Sequence, residues 1–270
     1  MPSFRGTNLR SGDLAEATAL LLLQQVALVA PIPRTEDIGI DAVVTLHREF
    51  DKHRLIAEDS IFVQIKSSSV TSIEYAEDEV KWLYELDLPL FYASFDMTDC
   101  SISLYCTQQM AEAFITDHDR KKITVHFDGE PDPLEIDDAP NDEVHIGPPI
   151  MIWNMEQCSK NRKALREKFY SIVKPHVEIQ KANLIYREVG RVENCDWRTN
   201  EIPARGLWKT TSTKPAGEIL DAAYLNLLPF FSIWIFELAR YKDWDKARDL
   251  WGLLERIRKD LQPPDQKNTS

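Results

Sequence analysis

The chain has 270 residues, of which 43% are hydrophobic and 28% charged, proportions that exclude a collagen-like, largely disordered or polytopic membrane protein. Residues 1–150 carry a net charge of −17 and residues 151–270 carry +5. The acidic part argues against broad nonspecific nucleic-acid binding by itself, and the basic part fits either phosphate contacts or a solvated helix surface. No Gly-x-Gly, Gly-Lys, His-Glu-x-x-His or Cys-x-x-Cys sequence occurs, so the common nucleotide-binding loops and zinc motifs are excluded.

The first predicted elements are a helix and a hairpin. Leucines and alanines without an internal breaker predict a helix from Asp13 to Val29, with Ser11 as its N-cap. The runs Ile38–Leu46 and Ile61–Ser67 are rich in β-branched residues and predict two strands. The polar stretch 48–60 lies between them, so we expect the two strands to form a hairpin.

Shorter elements alternate over the following 60 residues. The pattern of apolar residues predicts a helix at Glu74–Leu86, strands at Pro89–Phe95 and Ile102–Cys106, a helix at Gln108–Thr116 and a strand at Ile123–Phe127. The stretch 128–141 that follows is acidic and contains prolines, which is typical of a loop or linker.

The remainder of the chain is predicted to be helical. Helices are expected at Met155–Val192 with a kink at Pro175, at Glu218–Arg240 and at Trp244–Leu261, with a loop at 195–217. We therefore predict two domains: an α/β domain at residues 1–145, and an all-α domain at 146–270 that recognises substrate, dimerises or regulates.

Compartment and membrane contact follow from the cysteines and the apolar runs. Four isolated cysteines with no zinc-site spacing are typical of reduced, cytoplasmic proteins, and the N-terminus shows no signal-peptide pattern. The run Ala222–Phe236 is shorter than the ~20 residues that a membrane span requires. We interpret it as a buried helix or as an interface between two copies of the chain, and we expect no membrane contact.

One constellation of polar residues carries the chemistry. Glu16 lies on the first helix, Asp41 in the first strand of the hairpin, and Gln64 and Lys66 in the second. Side chains alternate between the two faces of a strand, so Gln64 and Lys66 share one face. We expect Asp41 to join them from the neighbouring strand, and Glu16 to approach from a helix packed on the sheet.

These residue types suit metal-assisted hydrolysis of a phosphodiester. A hard cation such as Mg²⁺ or Mn²⁺ prefers oxygen ligands, which the carboxylates of Asp41 and Glu16, the side-chain carbonyl of Gln64 and the backbone carbonyl of Ile65 would supply. The metal would lower the pKa of a bound water and stabilise charge that develops on the phosphate. Lys66 would orient or deprotonate that water, or neutralise the transition state.

The order of these motifs resembles the PD-(D/E)xK restriction-endonuclease-like superfamily, and in particular its prokaryotic domain-of-unknown-function family 4365. The segments that carry the resemblance are Gly12–Glu16, Glu36–Asp41, Phe62–Ser68, Val80–Trp82 and Asp87–Phe91. The resemblance covers about residues 5–127, under half of the chain.

The resemblance implies a four- or five-stranded mixed sheet flanked by helices and a Mg²⁺-dependent endonuclease, with DNA favoured over RNA, acting in prokaryotic defence or DNA processing. Cutting two strands usually needs two active sites, so a homodimer is expected. An activating partner protein is a further possibility for such an enzyme. Gln64 departs from the acid that much of the superfamily has at this position, which removes one negative charge. The alternative reading is a catalytically silent binding or scaffold protein of the same fold, which the acidic residues 1–150 favour.

A few other residues have weaker functional interpretations. Ser67 and Ser68 could bind a phosphate, and Glu36 and Asp37 are interpreted as loop acids. The six histidines show no recognisable ligand spacing, so none is predicted as a ligand or base. Most tryptophans are predicted to be core residues, and Trp197 and Trp208, in the loop-like stretch, are weak candidates for stacking on a base.

Overall fold

The structure, a computed structural model, is a mixed α/β fold that ends in a pair of helices. The described residues are 7–33, 39–51, 54–116, 119–129, 142–189, 191–210 and 216–261. We refer to the described residues from 7 to 210 as the body and to the two helices at 216–261 as the hairpin. The coarse prediction of an α/β fold with a helical C-terminal region is confirmed.

Six strands form the main sheet: β1 (Leu28–Pro31), β2 (Ala42–Glu49), β3 (Leu55–Ser67), β5 (Leu90–Asp96), β6 (Ser101–Cys106) and β9 (Met151–Asn154). They lie side by side in that order. The central pair β3 and β5 is parallel and every other neighbouring pair is antiparallel, so the sheet is mixed.

Helices α1 (Thr7–Val26) and α4 (Met155–Tyr186) cover one face of this sheet. The apolar residues of α1 pack inward, and Leu22 is completely buried. The indole of Trp153 on β9 meets the ring of Phe169 on α4 edge to face, with centroids 5.5 Å apart. This layer is the larger of two hydrophobic cores in the body.

A smaller sheet and two short helices cover the opposite face. They are β4 (Ser72–Ala76), β7 (Lys122–His126), β8 (Glu143–His145), α2 (Asp78–Glu85) and α3 (Met110–Thr116). In the small sheet β4 is antiparallel to β7, and β7 is parallel to β8. Their inward side chains, such as Val125 and Val144, form the second core against Tyr92 of the main sheet.

The chain completes the body with a 3-10 turn at Arg187–Val189 and a ribbon of β10 (Arg191–Asp196) and β11 (Ala204–Thr210). The hairpin follows as α5 (Ala216–Arg240) and α6 (Trp244–Leu261), which pack against each other. Among the described helices, none is both long enough and apolar enough to cross a bilayer.

The boundaries in the first third differ from those predicted. The first helix begins at Thr7 and ends at Val26, so Ser11 lies inside it rather than at its N-cap. The apolar residues that follow form β1, because pairing with β2 outweighs the helix propensity of Leu28 and Ala30. The predicted hairpin is present, but its strands extend through most of the polar stretch 48–60.

Residues after 145 are not all-α. The strand β9 completes the main sheet, and the predicted loop at 195–217 contains the end of β10 and all of β11. Residues from both sides of position 145 share the larger core, and the division into domains stays a prediction. In α4 the backbone leaves helical geometry at Asn161 (φ −156°, ψ 79°), not at Pro175. The side chain of Asn161 accepts a hydrogen bond from the Ala164 amide at 3.1 Å and so caps the helix that resumes there.

Candidate functional site

Three of the predicted site residues lie on one face of the main sheet. Val63 and Ile65 point to the face covered by α1 and α4 and are buried in the larger core. Gln64 and Lys66 therefore project to the opposite face, the one covered by the small sheet. Asp41 precedes β2, whose Ala42 pairs with Val63, so its side chain starts beside Gln64.

The carboxylate of Asp41 is held against the backbone of β3. Its Oδ2 accepts a hydrogen bond from the Ile65 amide at 2.5 Å. The Asp41 amide in turn donates to the Val63 carbonyl at 3.0 Å, and the Asp41 carbonyl accepts from the Ile32 amide at 2.8 Å. These contacts fix the half-buried aspartate on both its main chain and its side chain, next to Gln64 and Ile65.

A hydrogen-bonded pair of tyrosines holds the side-chain amide of Gln64 through the hydroxyl of Tyr75. Gln64 is 6% exposed, and its Oε1 accepts a hydrogen bond from the Tyr75 hydroxyl at 2.8 Å. The Tyr75 and Tyr92 hydroxyls are 2.9 Å apart, so the three groups form a chain that ends at Oε1. A carbonyl oxygen has two lone pairs, and the second one at Oε1 can serve as a metal ligand.

Tyr75 is a hydrogen-bond donor at any ordinary pH. Its burial raises the pKa of the phenol to about 12, and the nearby carboxylates of Glu79 and Asp41 also raise it. Tyr75 was not singled out in the sequence, where it lay inside a predicted helix.

An aromatic wall borders the site on the side of α2. Gly39 has a φ of +77°, and a Cβ at this position would lie 3.2 Å from the indole of Trp82. The indole also stacks on the ring of Tyr75, with ring centroids 6.5 Å apart. Glycine is therefore needed for both the left-handed backbone and the close approach of Trp82 just before Asp41.

Lys66 and the serines occupy the end of β3. Lys66 is partly buried and lies opposite Ser94 of the parallel strand β5. Ser67 and Ser68 are exposed at the turn that follows, where the Ser67 hydroxyl is 3.1 Å from that of Ser69. The Ser68 amide donates to the Phe95 carbonyl at 2.9 Å. These serines close the turn, and their role in phosphate binding stays a prediction.

The fourth predicted residue, Glu16, comes from the opposite layer. It lies on α1, which packs on the other face of the main sheet, and its side chain is partly exposed. The described geometry thus groups Asp41, Gln64 and Lys66 and leaves Glu16 on a separate element. Glu36 and Asp37 lie outside the described residues.

The tryptophans considered for base stacking have different outcomes. Trp197 is buried, and its indole donates to the Pro148 carbonyl at 3.1 Å, so it is a core residue. The side chain of Trp208 lies outside the part of the chain whose side chains are described. Two histidines that the sequence spacing did not connect, His126 and His145, lie side by side on neighbouring strands. In the sequence, the only sign of this cluster is that Glu143 and His145 are two residues apart, which places them on the same face of a strand.

The oxygen donors grouped at the end of β3 fit a hard divalent cation. They comprise the carboxylate of Asp41, the amide oxygen of Gln64 and the backbone carbonyl of Ile65, with one formal negative charge among them. No family model matches this chain, and neither a curated protein nor a solved structure is similar enough to it to count as a match. The functional argument therefore depends on the geometry of these residues.

Proposed function

We propose that this protein is a divalent-metal-dependent nuclease with a restriction-endonuclease-like fold, which hydrolyses phosphodiester bonds and favours DNA. The observation that supports the proposal most directly is the 2.5 Å hydrogen bond from the Ile65 amide to the Asp41 carboxylate. It puts a carboxylate next to the amide of Gln64, with the ammonium group of Lys66 on the same face of the strand.

The donor set suits Mg²⁺ or Mn²⁺. When bound, such a cation lowers the pKa of a water ligand and offsets the negative charge of the reacting phosphate. Asp41, Gln64 and the carbonyl of Ile65 would hold it. With a single carboxylate in this group, we expect weaker metal affinity than at a site with two acids, unless Glu16 supplies the second.

Each protein group has a separate task in the proposed reaction. The Ile65 amide keeps the Asp41 carboxylate in one orientation, and the Tyr75 hydroxyl does the same for Gln64 Oε1. Lys66 places a positive charge where the attacking water and the phosphate meet, so it can hold the water or neutralise charge in the transition state. The resemblance of the motifs suggests a role in prokaryotic defence or DNA processing, and the four isolated cysteines favour a cytoplasmic location.

The test is cleavage of plasmid, linear and single-stranded DNA and of RNA with Mg²⁺ or Mn²⁺. We expect Asp41→Ala and Lys66→Ala to lower the rate at least 100-fold, because each removes a charged group to which the proposed reaction gives a separate task. Lys81→Ala is the matched control for Lys66→Ala, since Lys81 is exposed and pairs with Glu85 on the surface. Asp51→Ala serves the same purpose for Asp41.

A second variant separates metal positioning from folding. Tyr75→Phe removes only the hydroxyl that orients Gln64, so we expect it to raise the Mg²⁺ concentration needed for half-maximal rate about 10-fold. Wild type that neither cuts nor gains melting temperature with metal would contradict the enzyme and favour the scaffold alternative. A gain in melting temperature without cutting would point to a competent site that needs a partner or another substrate.

A further inference from the structure

The small sheet carries two histidines and a carboxylate on its outer face. His126 on β7 pairs with His145 on the parallel strand β8, and Glu143 precedes His145 by two residues, so all three side chains share one face. A nitrogen from each imidazole and an oxygen of Glu143 lie within 4.8 Å of one another. A cation bound by all three would require the two rings to turn toward a common point.

One ring nitrogen of His126 lacks a hydrogen-bond partner among the described residues. Its ring stacks on that of His145, with centroids 4.7 Å apart and planes at 14°. Its Nε2 is shielded from solvent and lies 3.3 Å from Oε2 of Glu143. Within the described part of the chain, no group makes a hydrogen bond of good geometry to that nitrogen. A shielded ring nitrogen beside a carboxylate is the arrangement that a metal ion would complete.

The loop after β7 is shaped around His145. Oδ1 of Asp128 lies 2.7 Å from Nδ1 of His145, which leaves Nε2 of that ring for a metal. Gly129 has a φ of +90°, and a Cβ there would lie 2.9 Å from the Cβ of His145. Only glycine lets the chain pass this close, and histidines that bind metals commonly donate their second ring nitrogen to a carboxylate in this way.

We propose that His126, Glu143 and His145 bind one zinc ion, at a site separate from that of Asp41. Two imidazole nitrogens and one carboxylate oxygen are a donor set that zinc favours and Mg²⁺ does not. Asp128 is a positioning residue that fixes the ring of His145. When bound, the ion would join β7 to β8, two strands with 16 residues between them in the chain.

The experiment is a Zn²⁺ titration of the full chain after treatment with a chelator, with bound metal counted after dialysis and melting temperature measured. Wild type is expected to bind one zinc ion at this site and to melt at a higher temperature with Zn²⁺. His145→Ala and Glu143→Gln are expected to weaken binding at least 10-fold, and Asp128→Asn about 10-fold. Co²⁺ in place of Zn²⁺ is expected to give the visible absorption of a tetrahedral site.

The controls distinguish this site from other acidic and thiol groups. Glu74→Gln removes a carboxylate from the same outer face and is expected to leave zinc affinity unchanged, since Glu74 pairs with Lys122 at 2.9 Å. Cys100→Ser tests the exposed thiol, and Asp41→Ala tests the other site. Zinc binding that is absent in wild type, or that is unchanged in His145→Ala and His126→Ala, would overturn the proposal.

A different observation carries a second inference, at the hairpin. Helix α5 has no charged residue from Ala222 to Phe236, and it is apolar around most of its circumference. The exposed fractions of Phe230, Ile233 and Trp234 are 71%, 63% and 60%. Among the described elements, α6 and the turn at Arg187–Val189 pack against α5, and these large apolar side chains remain exposed.

The size of this surface is that of a stable interface. The partly exposed aromatic residues Phe230, Trp234, Phe236 and Trp251 contribute on the order of 500 Å². The exposed leucines and isoleucine of α5 raise the summed area, spread over more than half of the helix circumference, to roughly 800 Å², about what each partner buries in a standard interface. We infer that the hairpin pairs with the hairpin of a second copy, as a four-helix arrangement around a twofold axis. Two copies of an uncharged surface can meet without charge repulsion, and the surface carries no charge that would select a different partner.

The oligomeric state of the full chain tests this inference. Sedimentation velocity at micromolar concentration is expected to show a dimer for wild type. The double variant Ile233→Ser with Trp234→Ser is expected to dissociate at least 10-fold more readily, with an unchanged far-ultraviolet spectrum. Ile202→Ser, at an isoleucine of the body that is 65% exposed, is the matched control and is expected to stay dimeric. A monomeric wild type, or one that binds phospholipid vesicles and not itself, would overturn the inference.

Discussion

The body and the hairpin bury their apolar residues to very different extents. In the body, Trp153 and Phe169 are each 1% exposed and contact each other between a strand and a helix. In the hairpin, Trp234 is 60% exposed and Trp251 56%. The same residue type therefore serves as core in one region and as surface in the other.

The difference reflects how each helix is patterned. In α6 the apolar residues form one stripe, and Ala247 and Leu254 of that stripe are buried against α5. Helix α5 is apolar on most of its surface, and a single neighbouring helix cannot cover it. The large apolar side chains of the body are thus mostly buried within it, whereas several of those in the hairpin remain exposed.

The largest effect is expected from a matched pair of tryptophan substitutions. Trp153→Ala should lower the free energy of unfolding by about 3–5 kcal/mol, because it opens a cavity in the main core. Trp234→Ala should change it by less than about 1 kcal/mol in the monomer, because that ring is mostly in solvent. Urea denaturation at concentrations too low for association measures both.

The control is Trp153→Phe, which keeps an aromatic ring next to Phe169 and should lose clearly less stability than the alanine variant. Equal losses for Trp153→Ala and Trp234→Ala would contradict the comparison, since they would mean that Trp234 is covered within one chain.

A buried histidine makes the body sensitive to acid. His176 is fully buried beside Trp197, with its Nδ1 3.8 Å from Sγ of Cys195, and burial lowers its pKa to about 3. The unfolded chain binds this proton near pH 6.5, so stability that is present above pH 6.5 is lost as the pH falls toward 3. Between pH 6.5 and 4.5 we expect a loss of about 2–3 kcal/mol from this group.

Denaturation midpoints measured across this pH range check the expectation against His176→Gln, which cannot take up the proton. Carboxylates such as Glu58, whose pKa is lowered to about 2 by its hydrogen bonds to Tyr170 and Arg48, contribute equally to both proteins. The slope of stability with pH should therefore be shallower in the variant. Parallel slopes would show that His176 is protonated in the folded protein.

The elements that could be predicted from the sequence are those with a local pattern. The helix Trp244–Leu261 was predicted because its apolar residues recur at helical spacing. The strand that ends at Ser67 was predicted from its β-branched residues. In contrast, β9 and the small sheet depend on pairing between distant segments. The pairing of β9 with β6 and of β8 with β7 leaves no local pattern in the sequence.

The candidate site divides in the same way. The common face of Gln64 and Lys66 follows from alternation along one strand, and the sequence order was enough to place Asp41 beside them. Tyr75 could not be foreseen, because its hydroxyl reaches Gln64 from β4, a strand that the helical pattern of that segment concealed. Likewise, the approach of His126 to His145 requires the parallel pairing of β7 with β8.

The smallest effect is expected from removing one helix cap in each region. Asn154 caps α4 by accepting a hydrogen bond from the Gln157 amide at 3.0 Å, and Asn154→Ala should lower the stability of the body by about 1 kcal/mol. Asp243 likewise accepts a hydrogen bond from the Lys246 amide at the start of α6, where the side chain of Lys246 also lowers the pKa of Asp243. Asp243→Ala should speed amide hydrogen exchange in the first turn of α6.

Measuring the Asn154 and Asp243 variants side by side tests whether the body and the hairpin unfold together. If the hairpin opens independently, Asp243→Ala leaves the denaturation midpoint of the body unchanged, and Asp243→Asn restores slow exchange in α6 because asparagine also caps helices. If Asp243→Ala lowers that midpoint as much as Asn154→Ala does, the two regions form one cooperative unit. Helix α5 would then contribute to the stability of the body through its contact with the turn at Arg187–Val189.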